Sequence, residues 1–117
     1  MAAAIPEDRQ RQFDHLAEAK ALLFAWSKHE RFPLHRVEFS VPFVATDFRA
    51  HVLLFLETDE QVRAESNARG REAQAVFTRA LRDVGYPEEH LEVVTFEVDS
   101  DERVQREFEG SYFYRLR

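Results

Sequence analysis

The stretch His51-Val52-Leu53-Leu54-Phe55-Leu56-Glu57 decides the fold. It sets five apolar residues in a row and is closed by Thr58-Asp59-Glu60. A run so short, and so rich in Val, Phe and Leu, fits a strand buried on both faces better than a helix. The rest of the chain is then expected to cover its two faces and flank its two edges.

Just upstream, Val37, Phe39, Val41 and Phe43 alternate with Glu38, Ser40 and Pro42, the period of a strand with one wet face. Pro42 has no N–H for a ladder, so this strand is expected to lie at an edge or carry a bulge. Thr46-Asp47 turns it back into the central strand as an antiparallel hairpin with a short loop. Before the hairpin, Phe13, Leu16, Ala19, Leu22, Leu23 and Trp26 recur at helical spacing, predicting a helix from about Glu7 to Glu30. Phe24 falls off that stripe. Apolar surface therefore wraps much of the helix between Ala21 and Trp26, and it needs either two covering layers or a second subunit, so a homo-oligomer is among the expected partners.

Downstream, Thr58 caps a second helix, with Gln61 placed to complete a capping box. The stripe Ala73, Val76, Phe77, Ala80, Leu81 and Val84 fills only the later half of this helix, so the first half is expected to be exposed. Asn67 and Gly70 weaken it in between, and Gly85-Tyr86-Pro87 ends it. Leu91 to Val98 reads as a third strand. The junction Leu56-Glu57-Thr58-Asp59-Glu60-Gln61-Val62 then recurs as Val98-Asp99-Ser100-Asp101-Glu102-Arg103-Val104, predicting a short helix from Ser100 to Glu109. In Ser111 to Arg117, Tyr112, Tyr114 and Leu116 alternate with Phe113 and Arg115, the pattern of a last strand.

These elements predict an α+β fold, a two-layer α/β sandwich on a four-stranded mixed sheet, in which the long helix is able to carry a right-handed parallel crossover to the third strand and the strand order and the direction of the last strand stay open. All 117 residues are expected to form one globular domain, with residues 1–7 expected as a mobile arm. The 44% hydrophobic share and 11 Phe are ample for one core. With no Cys, disulfides, thiolate chemistry and Cys-ligated metals are excluded. No stretch has the length of a membrane span or the form of a signal peptide, so the expectation is a soluble, cytoplasmic, bacterial protein.

Charge is divided along the chain. Arg63 to Arg82 carries five Arg against Glu65 and Glu72, whereas Asp83 to Glu109 carries ten acids against Arg103 and Arg106. Glu88, Glu89, Glu92, Glu102 and Glu109 are expected to form one acidic face that meets a basic protein surface. If the central and third strands run parallel, Glu57, Asp59, Asp99 and Asp101 converge at their carboxyl ends, where open α/β sheets bind ligands. With His51 on the same strand, they are the candidate residues of a small metal-dependent hydrolase. Thr58 and Ser100 beside them favour a plainer account, acids placed at helix starts for the helix dipole.

No Gly-rich phosphate loop, H-E-x-x-H or G-x-S-x-G occurs, and the five His show no ligand spacing. The aromatic and Arg-bearing C-terminus lacks the basic setting that nucleic acid needs. By elimination the sequence reads as a non-enzymatic protein-binding or regulatory domain of the antagonist or immunity type, without cofactor, nucleic acid or membrane partner. The carboxylate-cluster hydrolase is the alternative.

Overall fold

A computed structural model describes residues 5–65 and 68–117. The chain is α+β. In order it forms α1 (Glu7–His29), β1 (Leu34–Ser40), β2 (Ala50–Leu56), α2 (Asp59–Glu65), α3 (Ala68–Val84), α4 (Glu88–Leu91), β3 (Val94–Ser100), α5 (Asp101–Glu107) and α6 (Tyr112–Arg115). The expected arm at residues 1–7 lies outside the described residues for 1–4, and so does the expected weak point Asn67. No described helix is long and apolar enough to cross a membrane.

The sheet has the order β1-β2-β3, with β1 antiparallel and β3 parallel to β2. The central stretch therefore sits in the middle, and Val52 to Leu56 are all buried. Alternation then gives the sheet two different faces. Val37, Val52, Leu54 and Leu56 point to α1 and α3, joining Leu16, Ala19, Leu23, Ala73, Phe77 and Leu81 in the main core. Leu53 and Phe55 point the other way, to a small second cluster with Val104, flanked by Phe108, Tyr112 and Leu116.

Helix starts and stops follow the local chemistry. The Thr58 hydroxyl accepts from the Gln61 N–H at 3.1 Å, while Gln61 Oε1 accepts from the Thr58 N–H at 3.1 Å, the reciprocal capping box. Ser100 Oγ accepts from the Arg103 N–H at 2.9 Å to start α5. None of α2 is buried, as its sparse apolar pattern requires. Gly85 ends α3 at φ 97°, where a side chain would be strained. Gly70 is a close-approach glycine, because a Cβ there would lie 2.8 Å from the Glu65 carbonyl oxygen.

Three expectations are corrected. Among the described residues the sheet has three strands, not four, because Ser111 to Arg117 forms a capped helical turn instead of a strand. Gly110, at φ 78°, closes α5, and Ser111 Oγ accepts from the Tyr114 N–H at 3.2 Å to open α6. Tyr112 and Leu116, one turn apart, reach the second cluster, while Phe113 and Tyr114 are exposed. The hairpin connection is not short: it runs from Val41 to Arg49, so Val41 and Phe43, expected on the buried side of the strand, lie in the loop and Phe43 is exposed. Leu22, expected on the buried stripe, is 47% exposed, and Phe24, expected off it, packs partly against the core.

Candidate functional site

The polar face of the sheet is half covered. Across the three strands it presents Arg36, Glu38 and Ser40 from β1, His51, Leu53 and Phe55 from β2, and Thr95, Glu97 and Asp99 from β3. α5 and α6 close the end with Leu53 and Phe55. The opposite end, around Ser40, His51 and Thr95, is a hollow of about 420 Å³ rimmed by Pro42, Val93 and Arg49.

His51 has acquired partners that its sequence position did not announce. Its Nδ1 lies 2.7 Å from the Thr95 hydroxyl and its Nε2 lies 3.0 Å from Glu97 Oε1. A carboxylate only accepts, so Nε2 carries a hydrogen, and in the neutral ring the Thr95 hydroxyl donates to Nδ1. The connectivity hydroxyl–imidazole–carboxylate has the order of a nucleophile, its base and an orienting acid. Yet Arg49, the cation at the rim, is held by Asp47 at 2.5 Å, and Glu97 is also held by Arg115. The hollow therefore offers fixed hydrogen-bonding groups more readily than charge stabilisation for a reacting oxyanion.

The four carboxylates of the hydrolase reading do lie at the carboxyl ends of β2 and β3, but each is engaged by protein donors, with His35 between Glu57 at 3.9 Å and Asp101 at 3.7 Å. Asp99 accepts from Arg103 at 2.7 Å, from Arg115 Nε at 2.7 Å and from the Ser100 N–H at 2.8 Å. Burial pushes its pKa up, and these donors outweigh burial, so the carboxyl titrates below its ordinary range. Asp59 accepts the Ser100 hydroxyl at 2.5 Å and Arg106 at 2.8 Å, which lower its pKa in that order. Asp101 accepts the Tyr112 hydroxyl at 2.6 Å, again lowering its pKa. Glu57 is exposed, 3.9 Å from His35. Among the described residues no group of three or more His, Asp or Glu is arranged to hold a metal ion. The two capped junctions instead lock together: Glu102 accepts the Asp59 N–H at 3.2 Å and donates its own N–H to the Glu57 carbonyl at 3.0 Å.

The five acids of the expected face are divided between the ends of β3. Glu88, Glu89 and Glu92 precede that strand, and Glu102 and Glu109 follow it. A seven-residue strand spans roughly 23 Å and separates Glu92 from Glu102. Glu88 is paired with Arg82 at 3.1 Å, and Glu102 is engaged at the junction just described. Glu89 and Glu92 are exposed, without an ion pair among the described residues.

Beside that amino end lies the feature the sequence reading missed. The Val41–Arg49 loop is fastened to α1 by Arg9, which is 5% exposed and donates to the carbonyls of Pro42 at 3.2 Å, Val44 at 2.7 Å and Asp47 at 2.8 Å. Gln12 steadies Arg9 at 2.5 Å and donates to the Phe48 carbonyl at 3.1 Å, while the Phe48 ring stacks on His90 at 4.2 Å. The signal was present: Arg9 and Gln12 extend the buried stripe of Leu16, Ala19 and Leu23 with polar side chains, which need polar partners wherever they are buried. A loop tied this tightly holds Phe43 wholly in solvent, at 106% relative exposure, with Val44 at 61% beside it and Val93 at 40% across the hollow. No protein-family profile, curated protein or solved structure matches the chain.

Proposed function

We propose that this chain is a non-enzymatic protein-binding domain that docks through its hairpin end. Phe43 is the anchor, Val44 and Val93 are its apolar surround, and Glu89 and Glu92 form an acidic rim that favours a basic partner. The observation that carries this reading is a fully exposed Phe on a loop held by three buried-arginine hydrogen bonds. An exposed Phe forgoes about 1.5–3 kcal/mol of burial. A loop already ordered costs little further entropy on binding, and a central aromatic ringed by polar groups is how interfaces concentrate affinity. The rim supplies orientation and encounter rate, with a contribution that salt screens. The antagonist-type role read from the sequence stays within this proposal, with its surface moved to one end of β3.

Three immobilised baits test it in extracts of the source organism: wild type, Phe43→Asp, and Glu89→Gln with Glu92→Gln. A partner held by wild type and lost by Phe43→Asp is expected, and the double Gln variant should associate more slowly at low salt alone. A partner held equally by Phe43→Asp, or no retention above bare matrix, contradicts the reading.

A further inference from the structure

The helical layer leaves its own outer surface unmatched. Between α1 and α3 runs a groove of about 320 Å³ whose apolar floor includes Leu22, Trp26, Ala75 and Val76. Leu22 is 47% exposed and Ala75 is exposed, on a layer whose inner side is fully committed to the sheet. Glu72 and Arg79 stand beside this floor two turns apart on the same face of α3. Neither has an ion pair among the described residues, although other arginines, such as Arg69 and Arg82, are paired.

We propose that this face pairs two copies of the chain about a two-fold axis passing between Ala75 and Val76. Glu72 and Arg79 are of opposite sign and equally far from that point along α3. Antiparallel packing of α3 on α3 therefore sets Glu72 of each copy against Arg79 of the other, with the apolar floor between the two pairs. An isologous contact demands this self-complementarity, because each residue meets the image of another across the axis. A uniformly basic or acidic protein would leave one of the two charges facing its own sign. Ala75 at the axis permits the close helix approach, about 8–10 Å between axes, that such packing uses. Arg9, which fastens the hairpin loop, lies at the far end of α1 from Leu22 and Trp26, so both Phe43 anchors stay free and the dimer presents two of them.

Sedimentation equilibrium from micromolar to near-millimolar concentration tests the pairing. The wild-type mass should rise from 13.8 kDa towards twice that value. Ala75→Glu, at an exposed helical position, should keep the circular dichroism spectrum and weaken dimerisation by about tenfold or more, because two like charges meet at the axis. Arg79→Glu should weaken it too, and adding Glu72→Arg to that variant should restore it. A wild-type chain monomeric throughout overturns the proposal. So does an Ala75→Glu dimer of unchanged strength, or a double charge swap that fails to restore association. Phe43→Asp should leave dimerisation intact, which separates this test from that of the hairpin surface.

Discussion

The two faces of the sheet are built from the same three strands and held by different physics. Facing α1 and α3, Val37, Val52, Leu54 and Leu56 meet apolar side chains, and burial alone sustains the contact. On the other face only Leu53 and Phe55 are apolar, and cover depends on ion pairs: Arg115 joins Glu97 to Asp99, and Arg103 joins Asp99 to Glu107. The first face is covered by α1 and α3, with Phe39, Val94, Phe96 and Val98 of the edge strands partly buried against the core. The second is closed only where α5 and α6 reach, and the remainder, next to the Phe43 loop, is left to solvent. Apolar packing has covered one side of the sheet, whereas the charged side has an open end, where the proposed partner would dock.

Adjacent residues in β2 break or sharpen this contrast most strongly. Leu54→Ala, in the main core, should cost about 4 kcal/mol, and Leu53→Ala, in the small cluster that can collapse around the loss, about 2–3 kcal/mol. Chemical denaturation measures both, and equal losses would erase the distinction between the faces.

Asp99→Asn probes the charged side and should cost about 2–3 kcal/mol near neutral pH, because two arginines lose a charged acceptor. The folded pKa of Asp99 is lowered, so its contribution is complete above about pH 5 and disappears as pH falls through the lowered value. The gap between wild type and Asp99→Asn should therefore close in acid, while the gap for Leu54→Ala should change little. A gap that persisted in acid would mean that the Asn is misplaced by shape and not by charge.

The caps come next. Ser100→Ala removes an acceptor for the Arg103 N–H and a donor to Asp59, and should cost about 2 kcal/mol; Thr58→Ala should cost about 1 kcal/mol. The ordering follows from burial, since Ser100 is fully buried and Thr58 is not. Equal thermal shifts would show that the two junctions do not depend on each other as their hydrogen bonds imply.

What was legible in the sequence follows the same division. Periodicity located β2, its hairpin partner and the parallel crossover because apolar packing repeats every two or every 3.6 residues over long stretches. It failed at the C-terminus, where seven residues are too few to separate the two periods: Tyr112 and Leu116 lie four apart, a spacing that a strand and a helical turn both place on one side. The adjacent Gly110 and Ser111, a stop and a cap, were the better guide. The candidate acids lie at the strand ends, but what Asp59 and Asp99 pair with is decided by Arg103, Arg106 and Arg115, whose reach no linear spacing reveals. The acidic run was read as one patch because sequence neighbours seem close, although β3 carries its two halves apart. Arg9 escaped notice because a buried Arg is legible only once the carbonyls it serves have been brought to it.

Phe43→Asp should have the smallest effect on stability, within about 0.5 kcal/mol, because a fully exposed side chain has no packing to lose. Its effect on binding is the most direct measure of the central claim, taken as hydrogen–deuterium exchange of the chain alone and with the partner recovered by the wild-type bait. The account predicts new protection confined to the Val41–Arg49 loop and the segment from Glu88 to Thr95, absent when Phe43→Asp replaces wild type. Protection centred instead on α5 around Glu102 and Glu109, with the hairpin loop unchanged, would contradict it.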